Sequence, residues 1–578
     1  MRSVLILRAL LATVLLAGGC GRAMVRVNPM ATERPAGPPR IQAAVDLGAL
    51  PLPPLGALST EHSDRLFTPG EYIALRGDNL VWQSRITLGG QPLPPVGRLA
   101  DGALLVRVPR GLPAGTQTLT LDNGLGTATV ALPTAYYAFG GDTQGDALRF
   151  RRLGPDAAGF ADQALDLPFA RARFQALSPD GGVLYALQEP DPRVALVPSL
   201  VNTAIDVAQA ARDDVAADCE LLIVHLGGRG GPQKAGSVTL PLGSAPTAMA
   251  MSPAGVLVVV QRRQITLLDA RDPMRPRTLL SRTLTGTEQP RELIDAEFFA
   301  DGRLLAVLEA YANQVHLLDV TDAAQPRALL GVTLARAQDE PFSIDLARAA
   351  DGRSLWVLQG PNLKLGGKRL LDGLKATWTS AQALELRTAA VTLGQTASSA
   401  AMLPGDGVSR LVQLTLEGSE LRLARAIPLP ASLFPFFVLP DRDGALYVSG
   451  ISRTNPFADT QATLDGVVRL LQALKNTVQL GTVLKVRSDD GAMAQVLQGV
   501  ALYYDLALLP DGQLLTSTVR LGPGFIPPRL TLDWGLEIAG GPSGQFTKLR
   551  EVGNTALKLT GAVQRVLPPY RYERIGVQ

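Results

Sequence analysis

Three histidines are the first residues to test for chemistry, because imidazole is the side chain best suited to general base or metal-ligand work near neutral pH. They are His62, His225 in "LIVHL" and His316 in "QVHLL". A triad or a zinc site needs several such groups at one locus. His225 and His316 fall in similar short apolar runs of what read below as different structural units, so each is expected to be a satisfied strand histidine. Two acidic stretches, "DRDG" from Asp441 to Gly444 and "SDDG" from Ser488 to Gly491, begin like calcium loops. Neither has the remaining oxygen ligands at the required spacing, and both fit hairpin turns. The glycine-rich "LGGRGGPQKAG" from Leu226 to Gly236 lacks the strand-to-helix setting of a dinucleotide loop. G-x-S-x-G, H-E-x-x-H, C-x-x-C and P-loop patterns do not occur. No catalytic, cofactor-binding or metal residue is therefore assigned, although a site assembled from scattered side chains would escape a linear reading.

Cysteine chemistry is limited to Cys20 and Cys219. The run "MRSVLILRALLATVLLAGGC" places Arg2 and Arg8 before an apolar stretch from Ala9 to Ala17, the plan of an export signal, and it is too short for a comfortable spanning helix. The stretch "LLAGGC" resembles a bacterial lipobox, with Ala17 where Leu is usual. The resemblance implies cleavage after Gly19, lipid modification of Cys20 and anchoring by several acyl chains. Gly21 after the cysteine resembles the outer-membrane sorting pattern. The alternative is a plain secretory signal that leaves Cys20 a chance residue. With Cys20 lipidated no internal disulfide is available, and Cys219 reads as a buried, inert thiol.

Lys plus Arg (55) nearly balance Asp plus Glu (52), which gives no electrostatic case for a nucleic-acid partner. The 58 glycines and 43 prolines favour short strands and tight turns, so the expected class is all-β. Residues 1–19 read as the signal and 20–60, with "RPAGPPR" and "PLPPLG", as a Pro-rich tether. From 65 to 133 short alternating runs are broken by Gly-Asp, Gly-Gly and Asn-Gly turns, which predicts a small antiparallel sandwich. On "PGEYIALRGDNL", "ITLGGQPL" and "VRVPRGLPAGTQTLTLDNGLG" the segment resembles an IPT/TIG domain, an immunoglobulin-like module.

Beyond it the chain repeats itself. "LLDARDPMRPRTLL" (Leu267 to Leu280) returns fifty residues later as "LLDVTDAAQPRALL" (Leu317 to Leu330), each copy preceded by an apolar strand, a Gly turn and a second apolar strand. That is a four-stranded blade. The opening hairpin recurs at Phe174 to Glu189, Ser343 to Gly360, Phe436 to Gly450 and Tyr503 to Val519, and in a weaker form at Ala397 to Leu414. Seven candidates predict a β-propeller of about seven four-stranded blades over 136–578, with six or eight as alternatives. "YYAFGGDTQGDALRFRRL" and "GAVQRVLPPYRYERIGVQ" are left to close the ring or to form an eighth blade. The pattern resembles YVTN-type propellers, and "LLDVTDAAQPRALLG" the LVIVP repeat of bacterial surface proteins.

Four stretches leave the pattern between the second and third strands of a blade: Val194 to Asp218, Lys364 to Ser380, Leu464 to Gln479 and Arg520 to Trp534. The first and third have helical spacing. All four should gather at one mouth of the channel, either as a binding surface or as a cap on an apolar channel. The expectation is a non-enzymatic, envelope-anchored scaffold, held to the membrane through its N-terminal lipid, that binds a protein, peptide or glycan on this face. The alternative is a propeller enzyme, a lactonase-like hydrolase with a divalent cation among inward carboxylates. A quinoprotein reading is disfavoured, since four tryptophans provide no repeated Trp signature.

Overall fold

The computed structural model describes residues 24–25, 33–48 and, with short gaps, 64–188, 217–360, 409–452 and 481–557, together with 364–365, 368–369 and 575–577. Every element among them is a β-strand. The signal, Cys20, His62 and the two stretches with helical spacing lie outside the described residues, apart from Ala217 and Asp218 at the start of a strand.

The described residues up to Thr134 form two packed sheets. One holds Met24–Val25, Pro95–Leu99, Leu104–Arg107, Tyr72–Asp78 and Arg40–Asp46; the other holds Gln91–Pro92, Arg85–Leu88, Gly115–Asp122 and Thr127–Thr134. Period-2 alternation turns Ile73, Leu75, Leu104 and Val106 of the first sheet onto Ile86, Leu88, Leu119 and Leu121 of the second. The expected tether is shorter than its sequence suggests, because Arg40–Asp46 is an edge strand on Tyr72–Asp78. Its alternation was hidden by a register shift between Ile41 and Ala43. Pro38 and Pro39 stand just before the strand, where a missing N–H costs the ladder nothing.

Beyond Thr134 the described residues form seven four-stranded antiparallel sheets arranged as a propeller. Blade 2 runs Ala172–Leu177, Val183–Gln188, Ala217–His225, Gln233–Leu242, and blade 3 runs Pro246–Met251, Val256–Gln261, Gln264–Asp269, Arg277–Thr283. Blade 4 is Leu293–Phe299, Leu304–Glu309, Gln314–Asp319, Arg327–Thr333; blade 5 is Phe342–Arg348, Ser354–Gly360, Arg410–Glu417, Glu420–Pro428. Blade 6 is Leu433–Pro440, Leu446–Ser452, Gly481–Val486, Met493–Gly499; blade 7 is Ala501–Leu508, Leu514–Phe525, Pro528–Ala539, Lys548–Leu557. Blade 1 takes Tyr136–Gly141, Ala147–Leu153 and Leu165–Pro168 from the start of the ring, and Ile575–Val577 from the chain end as its innermost strand.

First strands of successive blades touch all the way round, and Ile575–Val577 touches those of blades 7 and 2. The ring is closed because no blade can cover its own faces. The apolar clusters straddle boundaries, Tyr185 and Leu221 meeting Leu257 and Val259 across blades 2 and 3, and Ala306 and Val315 meeting Val357 and Val412 across blades 4 and 5. The count of seven stands with one change of member. The weak hairpin at Ala397 to Leu414 is no separate blade, since Arg410–Glu417 is the third strand of blade 5, and the strands left over at the two ends supply the seventh sheet.

The repeated phrase fastens blade to blade. Asp269 and Asp319 end the third strands and turn the chain by accepting the N–H of Arg271 and Thr321. Arg277 and Arg327, opening the fourth strands, pair back to the same carboxylates at 3.5 and 3.4 Å. The loops so formed dock on the preceding blade: Tyr185 of blade 2 donates its hydroxyl to Pro273 O at 3.0 Å, and Arg282 of blade 3 donates Nη1 to Pro326 O at 2.6 Å.

Candidate functional site: the two mouths of the ring

In each blade from 2 to 7 the first strand runs to a tight turn, such as Ser178–Gly182, Ser252–Gly255 or Asp441–Gly444, and the second strand returns. These turns mark one mouth of the channel. The connections between second and third strands leave at the other.

The turn mouth carries the sandwich. Thr134 and Tyr136 are separated by one residue, Ala135, whose N–H is held by Phe67 O at 3.1 Å, so the sandwich enters blade 1 without a linker. At blade 2 the backbones meet: a Cβ on Gly70 would lie 2.4 Å from Gly182 Cα. Arg107 Nη1 pairs with Asp180 Oδ2 at 2.7 Å, its Nε donates to Gly70 O at 2.9 Å, and its guanidinium lies 4.9 Å from the Tyr72 ring centroid. Asp180 is itself fixed by Ser178 Oγ at 2.7 Å and the Gly182 N–H at 2.9 Å. A second ion pair joins Asp64 Oδ2 to Arg152 of blade 1 at 3.2 Å. Burial raises the Asp64 carboxyl above its ordinary range, outweighing the Leu66 N–H and the Arg152 charge.

The second-to-third-strand connections leave at the opposite mouth. The long connections belong to blades 2, 5, 6 and 7, between Gln188 and Ala217, Gly360 and Arg410, Ser452 and Gly481, and along Leu514–Ala539. In blades 3 and 4 the same connections are short, from Gln261 to Gln264 and from Glu309 to Gln314. The stretch from Arg520 to Trp534 differs from its expected form: it continues the ladder as a hairpin of two 12-residue strands. Lys364–Leu365 and Lys368–Arg369 form a small hairpin at the base of the blade 5 insertion.

Buried polar groups bind the rim between blades 4 and 5. Asn313, at φ 49°, accepts at Oδ1 from the Ser343 N–H at 3.0 Å and Ser343 Oγ at 2.8 Å. Gln359 accepts Arg410 Nε at 2.7 Å, and Arg410 Nη2 donates to Leu334 O at 3.3 Å. His316 Nε2 lies 2.9 Å from Oε2 of the fully buried Glu309. His225 sits at the far end of blade 2, where burial outweighs the Asp180 charge and lowers its imidazole below the usual range. The two histidines thus stand in separate blades at opposite mouths. Cys219 is buried in the core shared by blades 2 and 3.

The sequence reading missed Asp295, Asp345 and Asp505, each seven positions before the glycine of its blade's turn. All three are at most 9% exposed. The first two carboxylates span blade boundaries, Asp295 Oδ2 accepting the Leu346 N–H at 2.9 Å and Asp345 Oδ2 the Val438 N–H at 2.9 Å. Asp505 Oδ1 accepts the Leu506 N–H at 2.9 Å. Among the described residues no three His, Cys, Asp or Glu side chains come close enough to hold a metal ion. What the described ring offers is a closed frame with the sandwich seated at one mouth and the second-to-third-strand connections leaving at the other.

No family model matches the chain, and no curated protein matches it. Its structure is similar to solved propellers. A candidate 6-phosphogluconolactonase of Bacteroides fragilis is 10% identical, with 76% of this chain and 98% of that one covered and a TM-score of 0.44. A periplasmic gluconolactonase of Pseudomonas aeruginosa is 13% identical, with 74% and 99% covered and a TM-score of 0.44. The Swd1 β-propeller domain of Myceliophteria thermophila is 10% identical, with 65% and 92% covered and a TM-score of 0.36. At these identities the likeness is one of fold.

Proposed function

We propose that this chain is an envelope-anchored binding propeller whose working surface is the insert-bearing mouth. The observation that carries the reading is the position of the sandwich. It sits at the turn mouth on blades 1 and 2 through Gly70, Arg107 and Asp64, which leaves a partner the side where the connections of blades 2, 5, 6 and 7 emerge. Long, unlike loops on a closed scaffold are suited to recognising a protein, peptide or glycan. In this reading residues 1–19 are a lipoprotein signal, Cys20 carries the lipid, and the IPT/TIG-like sandwich spaces the ring from an outer membrane.

The test is a pull-down from native membranes with a C-terminally tagged protein, beside Cys20→Ser and a Gly-Ser replacement of Leu464 to Gln479. One stable partner, lost from the loop replacement while the protein stays folded, is the expected result. Recovery of the same partner by the loop replacement would overturn the assignment of this face.

A lactonase-like hydrolase acting at the channel is the alternative, and two of the similar propellers are named as a candidate 6-phosphogluconolactonase and a gluconolactonase. Asp295 and Asp345, the inner-strand carboxylates that span blade boundaries, each accept a backbone N–H from the next blade, which assigns them to holding the ring. Turnover of glucono-δ-lactone by the purified chain with calcium or magnesium present, abolished by a chelator, would favour the hydrolase instead.

A further inference from the structure

Part of the stretch expected to be a tether is fastened to the end of the sandwich that lies away from the ring. Leu104–Arg107 and Thr127–Thr134 both finish at the ring, so the turns Leu99–Ala103 and Asp122–Thr127 lie at the far end. There Asn123 Nδ2 donates to Gly37 O at 2.9 Å and to Asn79 O at 3.0 Å, and Asn79 Nδ2 donates to Pro38 O at 3.0 Å. Glu33 Oε2 accepts the Trp82 N–H at 2.8 Å. Arg98 draws the same loops together, with Nη1 on Gly102 O and Nη2 on Glu33 Oε2, both at 2.6 Å. Residues 33–39 are thus a strap across the far end.

Met24–Val25 sets where the chain arrives. Met24 pairs with Leu99 and Val25 with Arg98 in antiparallel register, so the chain enters this strand from beyond Leu99, at the same far end. Three residues separate Cys20 from Met24. Fully extended at about 3.5 Å per residue, the link from Cys20 to Met24 reaches roughly 14 Å, and the headgroup layer of one leaflet takes up about 5–8 Å of that. A lipid on Cys20 therefore holds the far end against the headgroups.

Leu125, in the Asp122–Thr127 turn, is 57% exposed there. The carboxylates of this end are engaged: Glu33 by Arg98, Asp101 by Arg76 at 2.9 Å, Asp78 by Gln42 Nε2 at 3.0 Å and Asp122 by the Gly124 N–H at 2.8 Å. Arg34, Arg40 and Arg85 are exposed beside them. Charge is nearly balanced, so the short lipid link and Leu125, rather than a basic patch, carry the contact.

We propose that the far end of the sandwich is a bilayer-facing surface: the strap, the Leu99–Ala103 turn and Leu125 rest on phospholipid headgroups, and the mouth where the second-to-third-strand connections leave is turned away from the membrane. The inference rests on the reading of Cys20 as the lipidated residue. Strands such as Gly115–Asp122, with eight residues, hold the ring about 25 Å above the surface.

The experiment places the full chain, expressed in a bacterial host, in vesicles of phosphatidylethanolamine and phosphatidylglycerol that contain a spin-labelled lipid as quencher. A fluorophore is attached at Leu125→Cys or at Leu330→Cys, the latter 65% exposed on the outer strand of blade 4, and the parent chain, whose Cys219 is 1% exposed, is the labelling blank. Flotation with the vesicles and the mass of the N-terminal peptide report the anchor separately. The label at 125 is expected to be quenched and blue-shifted, the label at 330 to be neither, and the label at 125 in Cys20→Ser to stay unquenched, which shows that the fluorophore does not insert by itself. An acylated, floating chain with no quenching at 125 would overturn the surface and leave the anchor standing. Quenching at both positions would overturn the orientation, and an unmodified Cys20 would remove anchor and surface together.

Discussion

Asp345 of blade 5 and Val438 of blade 6 are joined by a hydrogen bond from the Val438 N–H to Asp345 Oδ2, 2.9 Å long, across a blade boundary. Asp295 makes the same bond to Leu346 across the preceding boundary. In both cases a register shift falls beside the aspartate, between Leu293 and Asp295 and between Ser343 and Asp345. A bulge bends the strand and re-aims a side chain, which here lets the carboxylate reach the next blade.

Removing such an acceptor leaves a buried N–H unpaired. Asp345→Ala is expected to lower stability by about 1–3 kcal/mol, while Asp345→Asn, which keeps an acceptor oxygen, recovers much of the loss. Urea unfolding of the two variants checks this. Equal losses would mean that the charge, not the hydrogen bond, matters at that boundary.

Gly70 tests the seating of the sandwich. Its φ is +87° and its Cβ position is 2.4 Å from Gly182 Cα, whereas Gly102, at φ +83°, has nothing within 4 Å of its Cβ position. Gly102→Ala therefore reports the cost of a positive φ alone, about 1 kcal/mol. Gly70→Ala adds a backbone collision and is expected to cost about 1–3 kcal/mol more. Hydrogen exchange should place that extra loss at Glu71, Val108 and the blade 2 turn, and similar melting curves for the two variants would contradict the contact.

How much of this was legible beforehand can be followed in particular residues. The blades were, because Gly181, Gly255, Gly302, Gly352, Gly444 and Gly512 adopt the positive φ of their turns, and the flanking runs keep period 2. The weak hairpin misled because a Gly-Asp-Gly turn signal does not say which pair of strands it joins. Ile575–Val577 has three residues, too few for any pattern. Asp295, Asp345 and Asp505 were readable from their shared offset to the turn glycine, though the offset alone does not say what the carboxylate meets. The ion pair of Arg107 with Asp180 was not readable at all, since the two lie over seventy positions apart in different folded units.

Acid should loosen the repeated loops. Side-chain bonds from Arg271, outweighing burial, pull the Asp269 carboxyl down to about 2, below the usual carboxylate range. A depressed aspartate contributes stability above its unfolded pKa and loses it as pH falls through the folded value. The contribution is thus complete above about pH 4 and gone below about pH 2. With Arg271 largely exposed, solvent screening keeps that contribution small. Asp269→Asn should flatten the stability profile in that interval and leave it parallel to the parent at neutral pH, and an unchanged acid limb would remove the carboxylate from the account.

Ring closure rests on the shortest of the described blade strands. Ile575–Val577 pairs with Ala138–Gly140 and touches the first strands of blades 7 and 2. Ending the chain after Glu573 would expose the edge of Tyr136–Gly141 and uncover apolar faces on both neighbours, converting a closed array into an open one with two free ends. Two outcomes follow from the same geometry. The truncated chain should unfold at lower denaturant, and blades 1 and 7 should gain hydrogen exchange well before blades 3 and 4, whose boundaries keep both partners. Uniform exchange across all seven blades would mean that the ring unfolds only as a unit, and unchanged stability would mean that closure is carried by the Tyr136–Gly141 strand meeting blade 7 directly.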